Sequence, residues 1–148
     1  MAQSYLIAAL YGSYATTGVT KQLLGAFALG SGEFKPNGSV IRIVAFGDAA
    51  ATNNAKSFSI EVAGRTVAYM LSGANNRAMV LEAMLCRASP TSITAYGQGV
   101  CGSQAMTLST TIMWSLSSAL SFGAFSTTAV ASGGFVMRAM MIELMQRG

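Results

Sequence analysis

The sequence predicts an all-β protein, a double-sheet sandwich of about eight antiparallel strands, from three observations. Apolar and polar residues alternate with a period of two over several segments, as half-buried strands require. Clusters of Gly, Asn and Pro interrupt those segments at roughly 8–12-residue spacing, which is the rhythm of short strands. The chain is 52% hydrophobic and only 9% charged, which excludes intrinsic disorder and leaves ample apolar surface for two packed sheets. At 148 residues it is one domain's length, able to fold without a disulfide or a metal.

The first thirty residues lack a sustained alternation. Tyr5, Leu6, Tyr11 and Tyr14 punctuate a stretch of small residues that ends in Leu23, Leu24 and Phe27. We read residues 1–30 as an extended arm whose seven named residues are interface anchors, because such a segment buries little alone and tyrosine offers area with a polar tip. Residues 31–148 are the sandwich domain.

Pro36-Asn37-Gly38 is a turn, since Pro presets its φ and Asn and Gly tolerate positive φ. Ser39 to Gly47 follows as a strand apolar on both sides apart from Arg42, and so is expected between layers. The polar stretch from Gly47 to Lys56 is a loop. Lys56 to Val62 alternates strictly and Arg65 to Leu71 resumes after Ala63-Gly64, which together read as a hairpin.

Ser72 to Arg77 is a second loop, and Met79 to Cys86 a long strand closed by Pro90. Strands are expected over Thr91 to Tyr96, Met106 to Trp114, Leu116 to Phe125 and Phe135 to Gln146, with glycine-rich breaks at Gly97 to Gly102 and Ser132 to Gly134. Good helix formers compete over Met137 to Met145, but alternation from Val136 to Leu144 favours strand. Connections too long for hairpins give the sandwich a jelly-roll-like character.

Little in the sequence points to chemistry. There is no His, hence no usual general base or pH switch, and two cysteines without His make no zinc site. Cys86 and Cys101 are read as free thiols. The acids Glu33, Asp48, Glu61, Glu82 and Glu143 are dispersed, so no carboxylate pair is expected. Gly97, Gly99 and Gly102 match a dinucleotide fingerprint by spacing, but no helix pattern follows and the next acid is Glu143, so they are read as an inter-strand loop. No catalytic residue, cofactor, metal or small-molecule substrate is expected.

The net charge of +4 is spread singly along the chain as a solvated face, without the clustering that tracks phosphates, so no nucleic-acid partner is expected. From Ala88 to Met137, and before Lys21, there is no charged residue at all. Such surfaces need cover by lipid or protein. Met106 to Phe125 is long enough to span a bilayer but is interrupted by eight Ser and Thr residues, so no membrane partner is expected and protein is the cover. Glu82 and Glu143, lying in apolar strands, are expected at an edge or paired with Arg42, Arg87 or Arg138, because an unpaired buried carboxylate is costly.

From Asn37 onward the chain resembles a jelly-roll module of tailed-phage virion proteins. In that module a strand of the form Leu-Arg-Ile-x-Ala-Trp-Gly precedes an Ala/Asn-rich loop, a lysine and an alternating strand ending Gly-Gly-Thr. Ile41, Arg42, Ile43, Ala45, Phe46 and Gly47 match the first part, Asn53, Asn54 and Lys56 the second, and Gly64 and Thr66 the third. The resemblance implies a non-enzymatic virion structural protein assembled in the host cytoplasm, a homotrimer that binds the major capsid protein as a cement or decoration protein. A tail- or head-fibre tip, or a carbohydrate-binding module, is the alternative.

Overall fold

A computed structural model of the chain describes residues 3–34, 37–49, 55–72, 78–115, 118–128 and 134–146. The described residues form ten strands and no helix. In chain order they are β1 (Gln3–Ala15), β2 (Gln22–Leu29), β3 (Val40–Ala49), β4 (Lys56–Val62), β5 (Arg65–Ser72), β6 (Ala78–Ser89), β7 (Ser92–Cys101), β8 (Gln104–Met113), β9 (Leu120–Thr128) and β10 (Phe135–Gln146). They make a six-stranded sheet ordered β1-β10-β3-β6-β7-β8 and a four-stranded sheet ordered β2-β9-β4-β5. All pairings are antiparallel, giving the expected jelly-roll-like sandwich.

Alternation places the core between the sheets. Ile41, Ile43 and Ala45 of β3, Phe58 and Ile60 of β4, and Leu81, Ala83 and Leu85 of β6 are fully buried. Phe58 and Phe135 meet across the interior with ring centroids 4.5 Å apart. Trp114 is buried and tilts against Phe34 at 6.2 Å. The β4–β5 hairpin turns on Ala63 and Gly64 with φ of 49° and 76°, the two positive angles of a turn whose twist matches the strands.

Several sequence-based expectations need correction. The stretch read as an extended arm contributes two edge strands: β1 pairs with β10 and β2 with β9. Bulges between Leu6 and Ala8, Tyr11 and Tyr14, and Leu23 and Gly25 break the alternation that would have revealed them. Strand β7 runs on through Gly97 and Gly99 to Cys101, so only Gly102 of the supposed loop lies in a turn. Strand β3 is buried on one side only, since Phe46 is 39% exposed on the other. Lys56 and Arg87 do not belong to a solvated face, as both are buried. Pro36, Asn53, Asn54 and the whole of residues 73–77 and 129–133 lie outside the described residues.

The two glycines of β7 have a specific structural reason. A Cβ on Gly97 would stand 1.7 Å from the Val67 carbonyl oxygen, and one on Gly99 would stand 2.4 Å from the Tyr69 carbonyl oxygen. Strand β5 therefore crosses β7 backbone against backbone, which only glycine permits.

The thiols are free. Cys86 pairs with Thr94 and Cys101 with Met79, so the two positions stand seven residue steps apart along β7, about 23 Å. A disulfide needs Cα atoms within about 7 Å.

Candidate functional site

Each sheet presents an outer face. On the six-stranded sheet, register aligns Tyr11, Ala139, Phe46, Val80, Val100 and Ala105 in one row across all six strands. The row is apolar throughout, although Tyr11 is 65% exposed and Phe46, Val80 and Val100 stand about two-fifths exposed. It runs about 24 Å, five strand spacings. Leu6 and Tyr96, also exposed, lie two rows away near opposite edges of the same face.

The charges on this face are paired with one another. Arg42 of β3 donates to Glu82 of β6 at 2.6 Å and to Glu143 of β10 at 3.3 Å. These hydrogen bonds, Glu82's first and Glu143's second, raise the guanidinium pKa above its ordinary value. Arg138 bonds Asp48 at 3.1 Å and the Ser13 hydroxyl at 2.7 Å. Both glutamates singled out from the sequence thus share one expected partner, Arg42.

The seven expected anchors divide between the two sides of the sandwich. Leu6 and Tyr11 are exposed on the outer face of the six-stranded sheet, and Leu23 is 55% exposed beside Phe125 on the four-stranded one. Leu24 is in the core, while Tyr14 and Phe27 pack against it, Phe27 stacking on Phe122 at 6.2 Å. Tyr5 lies opposite Leu144 in β1.

The outer face of the four-stranded sheet carries a groove of about 560 Å³ that sequence reading did not find. Its floor is Ser57 and Ser59 of β4 with Thr127 of β9, and its walls include Phe125, Tyr69 and the projecting edge strand β8. Ser59 sits between Phe125 and Tyr69 in one cross-strand row, so the two rings are based about 10 Å apart, twice the strand spacing. Lys21 reaches across from the start of β2, pairs with Glu61 and holds its ammonium 4.6 Å from the Phe125 ring centre. Arg65 lines the same groove. Among the described residues, no three Cys, Asp or Glu side chains converge as a metal site would require.

No protein-family model matches the chain, nor does any curated protein. Among solved structures it is similar to the C-terminal domain of EclA, a sugar-binding protein, at 14% identity and a TM-score of 0.46, over 93% of this chain and 81% of that one. It is also similar to the CBM2 module of the evolved Dit of Lactobacillus casei BL23 phage J-1, at 12% identity and 0.43, over 91% and 76%. A third is the CBM36-1 domain of a multidomain xylanase from the hindgut metagenome of Trinervitermes trinervoides, at 10% and 0.37, over 100% and 99%. These are likenesses of strand arrangement.

Proposed function

We propose that the chain is a non-enzymatic structural protein of a tailed-phage virion, a homotrimer that binds the major capsid protein as cement. The supporting observation is the apolar outer face of the six-stranded sheet. A solvated sheet face alternates polar residues outward, whereas here a row of six hydrophobic residues crosses every strand and the neighbouring charges are bonded to one another. Isolated, that face would be an aggregation liability; against sister subunits it becomes an interface core rimmed by the Arg42 and Arg138 ion pairs. The two edges of the sheet point the same way, because β1 and β8 carry no charge to blunt strand pairing. The resemblance of residues 37–148 to phage virion modules supplies the setting.

Light scattering of the purified chain tests the assembly, with a trimer expected and a monomer for the Phe46→Asp/Val80→Asp variant. Electron microscopy of particles tests the location, with three-fold density on the capsid surface expected. A soluble, monodisperse monomer at micromolar concentration that leaves no density on capsids would refute the proposal.

A further inference from the structure

The groove on the four-stranded sheet carries an inference independent of assembly, since it lies on the opposite face. Part of its polar lining is unused. Among the described residues the hydroxyls of Ser59, Tyr69, Thr110 and Thr127 and the guanidinium of Arg65 bond to no protein group, although all five residues line one groove. Its floor strands, β4 and β9, are hydrogen-bonded on both sides, so a ligand there cannot be recognised by strand addition. It must be read by side-chain hydroxyls and aromatic faces, and the ligand chemistry that matches many short hydroxyls between two aromatic walls is a polyhydroxylated ring.

We propose that this groove binds an acidic oligosaccharide. Tyr69 is the stacking platform, while Ser59 and Thr127 meet ring hydroxyls along the floor. Phe125, capped by Lys21, closes the far wall. The spacing of about 10 Å between the bases of the two aromatic residues accommodates consecutive sugar units rather than a single one. Charge sets the class of sugar: Lys21 and Arg65 face a single acid, Glu61, and because Glu61 already pairs with Lys21, Arg65 is left for a carboxylate on the ligand.

Calorimetric titration of the full chain with hexagalacturonate, and with cellohexaose and maltohexaose as neutral probes, tests the proposal. Saturable binding of hexagalacturonate is expected, tighter than that of either neutral probe. Tyr69→Ala should weaken it at least about tenfold, the scale of losing one stacked aromatic. Arg65→Gln should remove the preference for the acidic probe, and Ser59→Trp, which fills the floor without touching the core, should abolish binding. Tyr96→Ala, on the opposite face, should change nothing and serves as the control. Failure of hexagalacturonate to bind, equal binding of the neutral probes, or unchanged affinity in a folded Ser59→Trp variant would each overturn the assignment.

Discussion

Gly97→Ala is the sharpest test of how the two sheets are held. In an ordinary strand interior this change removes backbone freedom from the unfolded chain and stabilises by about 0.5–1 kcal/mol. Here the new Cβ would lie 1.7 Å from the Val67 oxygen, 2.7 Å from its carbonyl carbon and 2.8 Å from the Ala68 Cβ. Strands β5 and β7 must separate by more than 1 Å, and no rotamer change relieves a clash with backbone. A gap of about that size forfeits a quarter to a half of each dispersion contact along the crossing. Val67 and Ala68 are fully buried, so the loss falls within the core. Ordinary overpacking costs about 1–3 kcal/mol, and a backbone clash belongs at or above the top of that range, about 3–5 kcal/mol. For a domain of this size each kcal/mol moves the melting temperature by about 2–4 °C, so calorimetry should show a fall of roughly 6–20 °C. Gly64→Ala is the comparison: its φ of 76° is strained for Ala but nothing lies within 4 Å, so about 1–2 kcal/mol is expected. A Gly97→Ala protein as stable as the native one would refute the backbone-on-backbone crossing.

Arg42→Met leaves Glu82 and Glu143 without their shared cation; as these carboxylates are 30% and 39% exposed, urea unfolding should show a loss of only about 1 kcal/mol, largely recovered by adding Glu82→Gln. Arg87 is buried and donates to the Phe34 carbonyl, so Arg87→Met should cost about 1–3 kcal/mol by orphaning that oxygen, with faster amide exchange over residues 37–39. Mass spectrometry without reductant should find two free thiols, and Cys101, only 1% exposed, should react with Ellman's reagent only on unfolding; a native disulfide would contradict the register of β6 and β7.

Fold class, the β4–β5 hairpin and β10 were legible because alternation is strict over β4 and over Met140–Leu144 of β10, and the hairpin's turn residues stand at the right offsets. Lys56–Val62 follows a strict buried and half-buried pattern, and Ala63-Gly64 supplies the positive φ angles. The pairing of Glu82 and Glu143 was legible from cost alone, since an apolar strand tolerates a carboxylate only beside a cation. Strands β1 and β2 were hidden because three bulges shift the period and Ala, Gly and Ser give it little contrast. Gly97 and Gly99 misled for a related reason: glycine is depleted in strands, and the approach of β5 that demands it is a tertiary event. The groove was invisible for a topological reason. Lys21, Ser59, Tyr69, Thr110 and Phe125 are ordinary residues of separate segments, and only the sheet order β2-β9-β4-β5, with β8 projecting beside it, brings them together.

The two outer faces use the same few polar residues in opposite ways, and this separates their roles. On the six-stranded sheet Arg42 bonds both Glu82 and Glu143, so the face offers a partner apolar area beside a hydrogen-bonded cluster that carries one net negative charge. Removing such a triad from water with its hydrogen bonds intact costs far less than burying any one member alone, which suits a surface meant to be covered permanently. In the groove of the four-stranded sheet Lys21 pairs with Glu61, while among the described residues Arg65 and four hydroxyls have no protein partner around two half-buried rings. Covering that groove with an apolar protein surface would strand each of those donors, at about 1–3 kcal/mol apiece, whereas a hydroxylated ligand supplies them with partners. On the two proposals, a single sandwich is held in a shell by one face and presents the other to a saccharide, because polar satisfaction, rather than hydrophobicity alone, decides which surface is buried for good.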